Sequence, residues 1–412
     1  MDPASTSSRC SFDNLPDDAL IIIFSFLTLC ERLMVMRVSK RWNRILSNSQ
    51  AWTHVDFWDE RQTTEKPDEH GKTWRFPNDK NSVLDFMRKY TSGRLKSIRL
   101  HVISKDILSR LQQYRKLETF RLLAGRNPLE SAFHFEVRPD NYLDDKGPLY
   151  KELFLRLGKL KNLRCLTFQR MYSLHLTPEY LDPVSNLQEI TDLEFVDIFL
   201  EDGRYQFGTD LNANIIQLRA AMVILLKLTK VKSFRFSLDE PNPIQAHVNF
   251  DVFLRGIADK WKNLRQLTLV GIRPPSRETF KLLVSALTQL QELELYGKMI
   301  TDENIALIAT HLKKLTSLKL TDGQYTSTGI RGLCGHPSIE RLYVRHSQHN
   351  QAPEWLLAVY DVIISLPHIT YVKILGYRVI SLHAQHKIPA LQKNVQIEVE
   401  NSPIRLQNCL FD

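Results

Sequence analysis

Glycine is scarce, at 15 of 412 residues, and the chain contains no GxGxxG, no Gly-rich phosphate loop and no HExxH. Phosphate cradles are built from glycine because only a residue without Cβ lets the backbone close around an anion. Nucleotide-dependent and zinc-protease chemistry therefore have no motif to rest on. Cysteine is rarer still: Cys10, Cys30, Cys165, Cys334 and Cys409 are scattered, odd in number and without CxxC spacing, which argues against a disulfide framework and a zinc site. Long apolar runs are missing too. The longest, 19–30, is broken by Ser25 and Thr28 and is too short to span a bilayer. The opening MDPASTSSRC lacks the charged start and apolar stretch of a secretory signal. The expectation is a soluble protein of a reducing compartment, cytoplasmic or nuclear, with no membrane partner, no metal and no cofactor.

Catalytic pairings are equally thin. Asp17-Asp18 and Asp144-Asp145 are sequence neighbours, which suits a cap and a turn better than an acid/base couple. The histidines show no ligand spacing; His311 and His346 read as exposed or helix-end residues. Cys165 is a lone thiol without a nearby base. No catalytic centre is expected.

What the chain does have is a repeat. Apolar residues recur at i, i+3 and i+5 in Leu264-Leu267-Leu269, Leu290-Leu293-Leu295, Leu315-Leu318-Leu320, Ile339-Leu342-Val344 and Ile369-Val372-Ile374, with starts 26, 25, 24 and 30 residues apart. Weaker copies begin at Leu95, Leu117, Leu163, Ile190 and Val231. The step from i+3 to i+5 puts two side chains on one face of a short strand. Helical stripes lie between, as in Phe280-Leu283-Val284-Leu287, in Ile305-Ile308-Leu312 behind Thr301 or Asp302 as a cap, in Leu356-Val359-Ile363 near Pro353, and in Ile107-Leu111-Tyr114. A strand and a helix per unit is the leucine-rich-repeat period, and such units must stack into a curved solenoid because none buries its own face. Two spacings are irregular, 46 residues from Leu117 to Leu163 and 41 from Ile190 to Val231. Each reads as a loop insertion or as a degenerate repeat.

The amino-terminal residues follow a different pattern. Asn14 or Asp13 is suited to cap a helix with Pro16 in its first turn. Leu20, Ile23, Phe24 and Leu27 form a stripe, and Ile21, Ile22 and Phe26 make the helix apolar nearly all round, so it calls for burial on several sides. A short helix over 31–36 leads to a third, with Val38, Trp42, Ile45 and Leu46 on one face, followed by Trp52, Val55 and Phe57. About fifty residues make a marginal core alone, so a partner that completes it is expected. The ordered set Leu15-Pro16, Leu20, Ile23-Phe24, Leu27, VSKRW at 38–42 and Trp52 resembles the F-box. Together with the repeats, the chain resembles the F-box and leucine-rich-repeat family. Ser39 stands where the family commonly has cysteine, and Lys298 and Gly323 stand where Asn or Cys commonly closes the repeat turn.

The resemblance implies an α/β architecture: a three-helix F-box over 12–60 after a disordered 1–11, a linker over 61–82, then a solenoid over 83–399. Insertions fall near 124–150 and 200–214, and a tail occupies 400–412. It also implies a non-catalytic substrate receptor of a Skp–cullin–F-box ubiquitin ligase. Leu15 and Pro16 would contact a Skp-type adaptor, and through it cullin and RING subunits. Leu20, Ile23, Phe24, Leu27, Val38, Trp42 and Trp52 would form a core shared with that adaptor. Packing within the chain is the alternative for these residues. A scaffold that uses the same adaptor without ubiquitin transfer is a second function class, and a basic nucleic-acid-binding solenoid a third.

In a repeat strand the third, fifth and seventh positions face away from the core. The fifth positions are Arg99, Arg121, Thr167, Glu194, Arg235, Thr268, Glu294, Lys319, Tyr343 and Lys373, with Arg341 and Tyr371 at third positions and His101, Tyr296 and Arg345 at seventh. Of these, Arg99, Arg121, Arg235, Glu294, Lys319, Tyr343, Arg345 and Lys373 are the substrate-binding candidates. The chain carries 55 Lys plus Arg against 46 Asp plus Glu, a net charge of +9, and residues 88–126 alone hold eleven cations against two acids. This balance suits an acidic or phosphorylated protein substrate held by Arg99 and Arg121. A solvated helix face is the other reading of the same charges.

Overall fold

Each i, i+3, i+5 copy becomes a short strand with its anchors turned to one side, and the computed structural model has a strand at all ten copies. It describes residues 12–57, 80–91, 93–123, 147–171, 176–199, 211–238, 249–346, 352–375 and 395–400. The chain divides into two units, Met1–Leu166 and Thr167–Asp412.

The first unit opens with α1 (Asp17–Ser25), α2 (Leu29–Val35) and α3 (Lys40–Leu46). It continues with β1 (His54–Asp56), α4 (Lys80–Tyr90), β2 (Ser97–Leu100), α5 (Lys105–Leu111), β3 (Thr119–Leu123) and a helix over Gly147–Leu157. β1, β2 and β3 pair in parallel in chain order, with Val55 opposite Ile98 and Ile98 opposite Phe120. β4 (Cys165–Gln169) carries the boundary between the units. The second unit runs through β5 (Asp192–Ile198), β6 (Ser233–Leu238), β7 (Gln266–Val270) and β8 (Glu292–Tyr296). It ends with β9 (Ser317–Gly323), β10 (Arg341–His346), β11 (Tyr371–Leu375) and β12 (Gln396–Glu400). Those eight are again parallel and in chain order, with a helix between each successive pair as far as β11. This is the solenoid-like repeat.

Register is exact to the residue: Leu267, Leu293, Leu318, Leu342 and Val372 lie opposite one another strand by strand, and all are buried. A recurring bond pair enforces it. The carbonyl of the residue after most first anchors accepts two N–H groups of the next repeat, as when Gln291 O takes Thr316 and Ser317, and Glu340 O takes Thr370 and Tyr371. The helical stripes close the other side. Thr301, rather than Asp302, caps its helix by accepting the Asn304 N–H at 3.2 Å, while Asp302 accepts the N–H of Thr326 at 2.7 Å.

Several expectations change. Helix α1 starts after Pro16 as N-cap, without a side-chain cap from Asn14, which lies in a 3-10 turn over Phe12–Asn14. Val38 precedes α3, whose cap is Ser39, and is exposed, so it leaves the face of Ile45 and Leu46. In the helix Ala352–Ser365 the buried stripe is Trp355, Val359, Val362 and Ile363; Leu356 is only half-buried. Trp52, Val55 and Phe57 are themselves a copy of the repeat pattern and are buried, so the first repeat strand lies inside 12–60. Ile397 on β12 pairs opposite Val372, so a repeat strand reaches Glu400. Both irregular spacings are single long repeats. β5 pairs directly with β6, and Glu118 O accepts the N–H groups of Arg164 and Cys165 in the usual way. Of the insertions, 147–150 and 211–214 belong to helices; 1–11, 61–79, 124–146, 200–210 and 401–412 lie outside the described residues.

The turn after the strand has its own device. Seven residues after the first anchor the chain turns left-handed, at Arg170 (φ 58°), Asp197 (φ 54°), Gly271 (φ 73°), Gly297 (φ 77°) and Asp322 (φ 57°). Gly323 answers to a different need, since a Cβ there would stand 2.6 Å from the Ile300 Cβ. At Gly297 the space is open, so Gly297→Ala should cost about 1–2 kcal/mol through backbone strain alone. Denaturant unfolding tests this; an unmoved midpoint would mean the turn tolerates other geometries.

Candidate interaction surfaces

The first surface belongs to α1–α3. Asp17 and Asp18 sit in the first turn of α1, at the positive end of its dipole. Asp17 accepts hydrogen bonds from Arg41 at 2.7 Å and Arg44 at 3.3 Å on α3, and the Arg41 bond holds its carboxyl below the usual aspartate range. α2 begins with a reciprocal capping box between Thr28 and Glu31. Beneath the helices, the Trp42 ring meets Phe24 at 5.3 Å, and Trp52 meets Phe86 at 5.0 Å.

Arg32 ties this cluster together. Its buried guanidinium donates to the carbonyls of Ser25 (3.0 Å), Leu27 (2.9 Å), Ala51 (2.9 Å) and His54 (3.4 Å), and it lies 5.4 Å from the Trp52 ring centre. Ser25 ends α1 and Leu27 lies just past its C-cap, where carbonyls have no helical partner, while Ala51 and His54 flank the entry to β1. One cation thus fastens the α1–α2 corner to the first repeat strand. Burial lowers its pKa.

Of the residues expected to meet an adaptor, Leu20, Phe24 and Trp52 lie in the chain's own core. Leu15, Leu27 and Trp42 are half-buried, and Pro16, Ile23 and Val38 are exposed. The expectation also passed over larger exposed groups: Phe26 (81% exposed), Ile22 (60%), Met34 and Phe12. The signal for them was present, because an α1 apolar on every side leaves some side chains outside any intrachain core. Ile22 and Phe26, one turn apart, present large apolar area to solvent, which marks an interaction surface.

The second surface is the strand face opposite the helices. In the first unit Arg99 and Arg121 are register neighbours. Arg99 pairs with Asp56 on β1 at 3.6 Å; Arg121 is exposed and makes no ion pair among the described residues. In the second unit the candidates are joined into pairs across strands. Arg235 meets Glu194 at 3.6 Å, Lys319 meets Glu294 at 2.5 Å, Arg345 meets Asp322 at 3.2 Å and Lys373 meets Glu398 at 2.9 Å. Arg341 reaches over Ser317 to Glu292 at 3.1 Å. Tyr343 packs against Tyr371 with ring centres 5.3 Å apart. The Tyr371 hydroxyl donates to Glu398, which raises the phenol's pKa and lowers the carboxyl's. Thr167, expected on this face, is buried. The acids are what the emphasis on basic residues left out: most cations here lean on a neighbouring carboxylate.

Among the described residues no cluster of three His, Cys, Asp or Glu side chains suits a metal, and no helix is long and apolar enough to cross a membrane.

The F-box-like family model matches residues 12–58. The mouse F-box/LRR-repeat protein 12 is 22% identical over 336 residues, covering 80% of this chain and 77% of its own length. The human F-box/LRR-repeat protein 12 is 23% identical over 332 residues with the same coverage. A solved structure of the yeast Rad7 and Elc1 complex aligns over 92% of each chain at 12% identity and a TM-score of 0.42, too loose a likeness to argue from.

Two predictions concern the helical cluster. Arg32→Leu strands four carbonyls and should cost on the order of 3 kcal/mol, read as a lowered thermal midpoint; wild-type stability would show the carbonyl cage to be dispensable. Because the folded Asp17 pKa is depressed, its contribution is full above the ordinary aspartate range and is lost as pH falls through the lowered value. Asp17→Asn should therefore be destabilising at neutral pH and lose that penalty once the pH has fallen below the depressed carboxyl pKa, as followed by urea unfolding across an acid series.

Proposed function

We infer that this F-box and leucine-rich-repeat protein is the substrate-recognition subunit of a Skp–cullin–F-box ubiquitin ligase. α1–α3 dock on a Skp-type adaptor, and through it on cullin and RING subunits. The repeat face holds a protein substrate for ubiquitination and proteasomal degradation, in the cytoplasm or nucleus. The chain supplies proximity and no bond-making group, raising the effective concentration of substrate at the ligase. The observation that carries the adaptor half is the exposed apolar set Ile22, Ile23, Phe26 and Val38, inside the very segment matched by the F-box-like model. Buried against a partner, a side chain such as Phe26 contributes about 2–3 kcal/mol.

Ile22→Asp combined with Phe26→Asp should weaken binding of a purified Skp-type adaptor at least tenfold while leaving the melting temperature little changed, since both side chains are mostly exposed. Undiminished adaptor binding would sink the docking assignment. Ubiquitin transfer by the reconstituted complex is the second arm, because a scaffold role would keep the adaptor and show no transfer.

A further inference from the structure

We propose that the strand-start edge of the second unit, from β6 to β9, binds the phosphate backbone of double-stranded DNA, a role separate from the strand face and from α1–α3. At this edge each repeat turns from helix into strand, and three side chains surround the buried first anchor, two before it and one after. Apart from those anchors, the stretches 229–232, 262–265, 288–291 and 313–316 hold only Lys, Arg, Thr, Asn and Gln. The cations are Lys230 and Lys232 before β6, Lys262 and Arg265 before β7, and Lys313 and Lys314 before β9, and all six are exposed. No acid stands among them.

The repeat lock sets these turns side by side. The Arg265 N–H donates to Lys232 O at 2.7 Å, that of Gln291 to Arg265 O at 2.7 Å, and that of Thr316 to Gln291 O at 2.8 Å. Three strand spacings of about 4.8 Å make the edge about 15 Å long. Its cations are largely unclaimed. Lys230 pairs with Glu189, but Lys232, Lys262, Arg265, Lys313 and Lys314 make no ion pair among the described residues. Lys313 and Lys314 donate to neutral oxygens, the Ala309 carbonyl and the Gln289 amide. Acids border the edge without entering it: Asp259 lies in the last turn of the helix Asp251–Lys260, and Glu292 on β8 is held by Arg341. The helix dipole favours cations at helix C-termini, but that preference acts on every turn alike. The turns before β5 and β10 carry Glu189 and Glu340 instead, so the acid-free stretch is local to four repeats.

Composition selects the partner. Protein interfaces concentrate aromatic side chains, methionine and arginine and are poor in lysine. This edge is rich in lysine and has no exposed aromatic or large aliphatic side chain; those of the unit, such as Ile216 and Val252, lie on the helices. The same lack removes the apolar anchors with which a basic surface enters a bilayer and the stacking rings that hold single strands. Threonine, asparagine and glutamine between cations are the neutral donors that accompany Lys and Arg on phosphate oxygens. A duplex presents one phosphate per about 1.7 Å of a stiff axis. A fixed row of cations therefore meets a fixed row of anions, and little conformational freedom is lost. Contacts of this kind carry no sequence information, so the binding is independent of sequence.

The test follows binding of the full chain to a short, fluorescent DNA duplex of mixed sequence across a salt titration. The logarithm of the affinity should fall linearly with that of the salt concentration; a wild-type chain that does not bind overturns the proposal. Lys232→Gln, Lys262→Gln and Arg265→Gln together should weaken binding at least tenfold at low salt and reduce the slope by about two to three. A charge-matched set, Arg273→Gln, Lys281→Gln and Lys298→Gln, removes exposed cations from a helix and from the turns after β7 and β8, and should leave both nearly unchanged. Equal loss in the two sets would reduce the effect to net charge and overturn the site, as would a first set that binds like wild type. Single-stranded DNA of the same sequence, polyglutamate and phosphatidylserine vesicles should each compete several-fold less well than unlabelled duplex at equal charge. A competitor that matches the duplex overturns the assignment to DNA. If the first triple variant melts early, Lys262→Glu alone decides: binding should drop several-fold, and unchanged binding counts against the edge. No adaptor or ubiquitin enters these measurements, so they stand or fall apart from the receptor reading.

Discussion

Glu340 offers one carbonyl oxygen to two N–H groups of the next repeat, those of Thr370 and Tyr371, and the same bond pair recurs at Lys232, Arg265, Gln291 and Thr316. In the first unit it recurs at Thr53, Lys96 and Glu118. A strand slipped by one residue would turn its anchors into solvent and its polar side chains into the core. The paired bonds and the buried leucines therefore specify one register, and that register alone lines up the third, fifth and seventh positions in rows. The sequence of charges across the strands of the second unit is a consequence of this lock. Thr53 shows the lock reaching the end of the F-box-like segment, where Arg32 makes the same kind of use of free carbonyls on the helical side.

Much of this was legible before any coordinates, because burial writes itself into spacing. Anchors such as Leu318 and Leu320 must be apolar, and their two-residue step admits only a strand. What escaped detection had substituted or shared signals. Three residues before Ile397 of β12 the sequence has Asn394, where the ten copies of the pattern have an aliphatic first anchor, so the triplet looked incomplete. β1 was hidden because Trp52 serves both patterns, closing the helical cluster and opening the first repeat. The left-handed turn residues are Arg, Asp or Gly, a set with no common chemistry; what they share is a backbone angle, which composition does not report. Val38 misled for a simpler reason: helical spacing was extended one residue past the Ser39 cap.

The site was less legible than the fold. Rows of outward positions can be read from the repeat, and five of the substrate candidates, Glu294, Lys319, Tyr343, Arg345 and Lys373, do gather on adjacent strands. Net charge, however, pointed to Arg99 and Arg121, and it could not show which cation faces which acid. That depends on neighbours 23 to 49 residues apart, as in Arg345 with Asp322 or Arg341 with Glu292, which bridges two strands. Exposed pairs of this kind contribute little stability, about 0–1 kcal/mol each. Their consequence is positional: they fix where long side chains point.

The two surfaces differ in the physics of their occupancy. On the strand face of the second unit most charged side chains are paired with one another, so the face is at ease in water and gains from a partner only if that partner's charges are better placed than the carboxylates already there. Such a face suits selection among exchangeable partners, since a poorly matched one leaves desolvated charge behind. On α1 the situation is reversed. Ile22 and Phe26 are largely exposed among the described residues, and their exposure is a cost that any apolar cover relieves. A surface of that type favours standing occupancy over exchange. The same chain therefore carries a polar face whose charges are largely paired and an apolar face whose lowest free-energy state is the covered one.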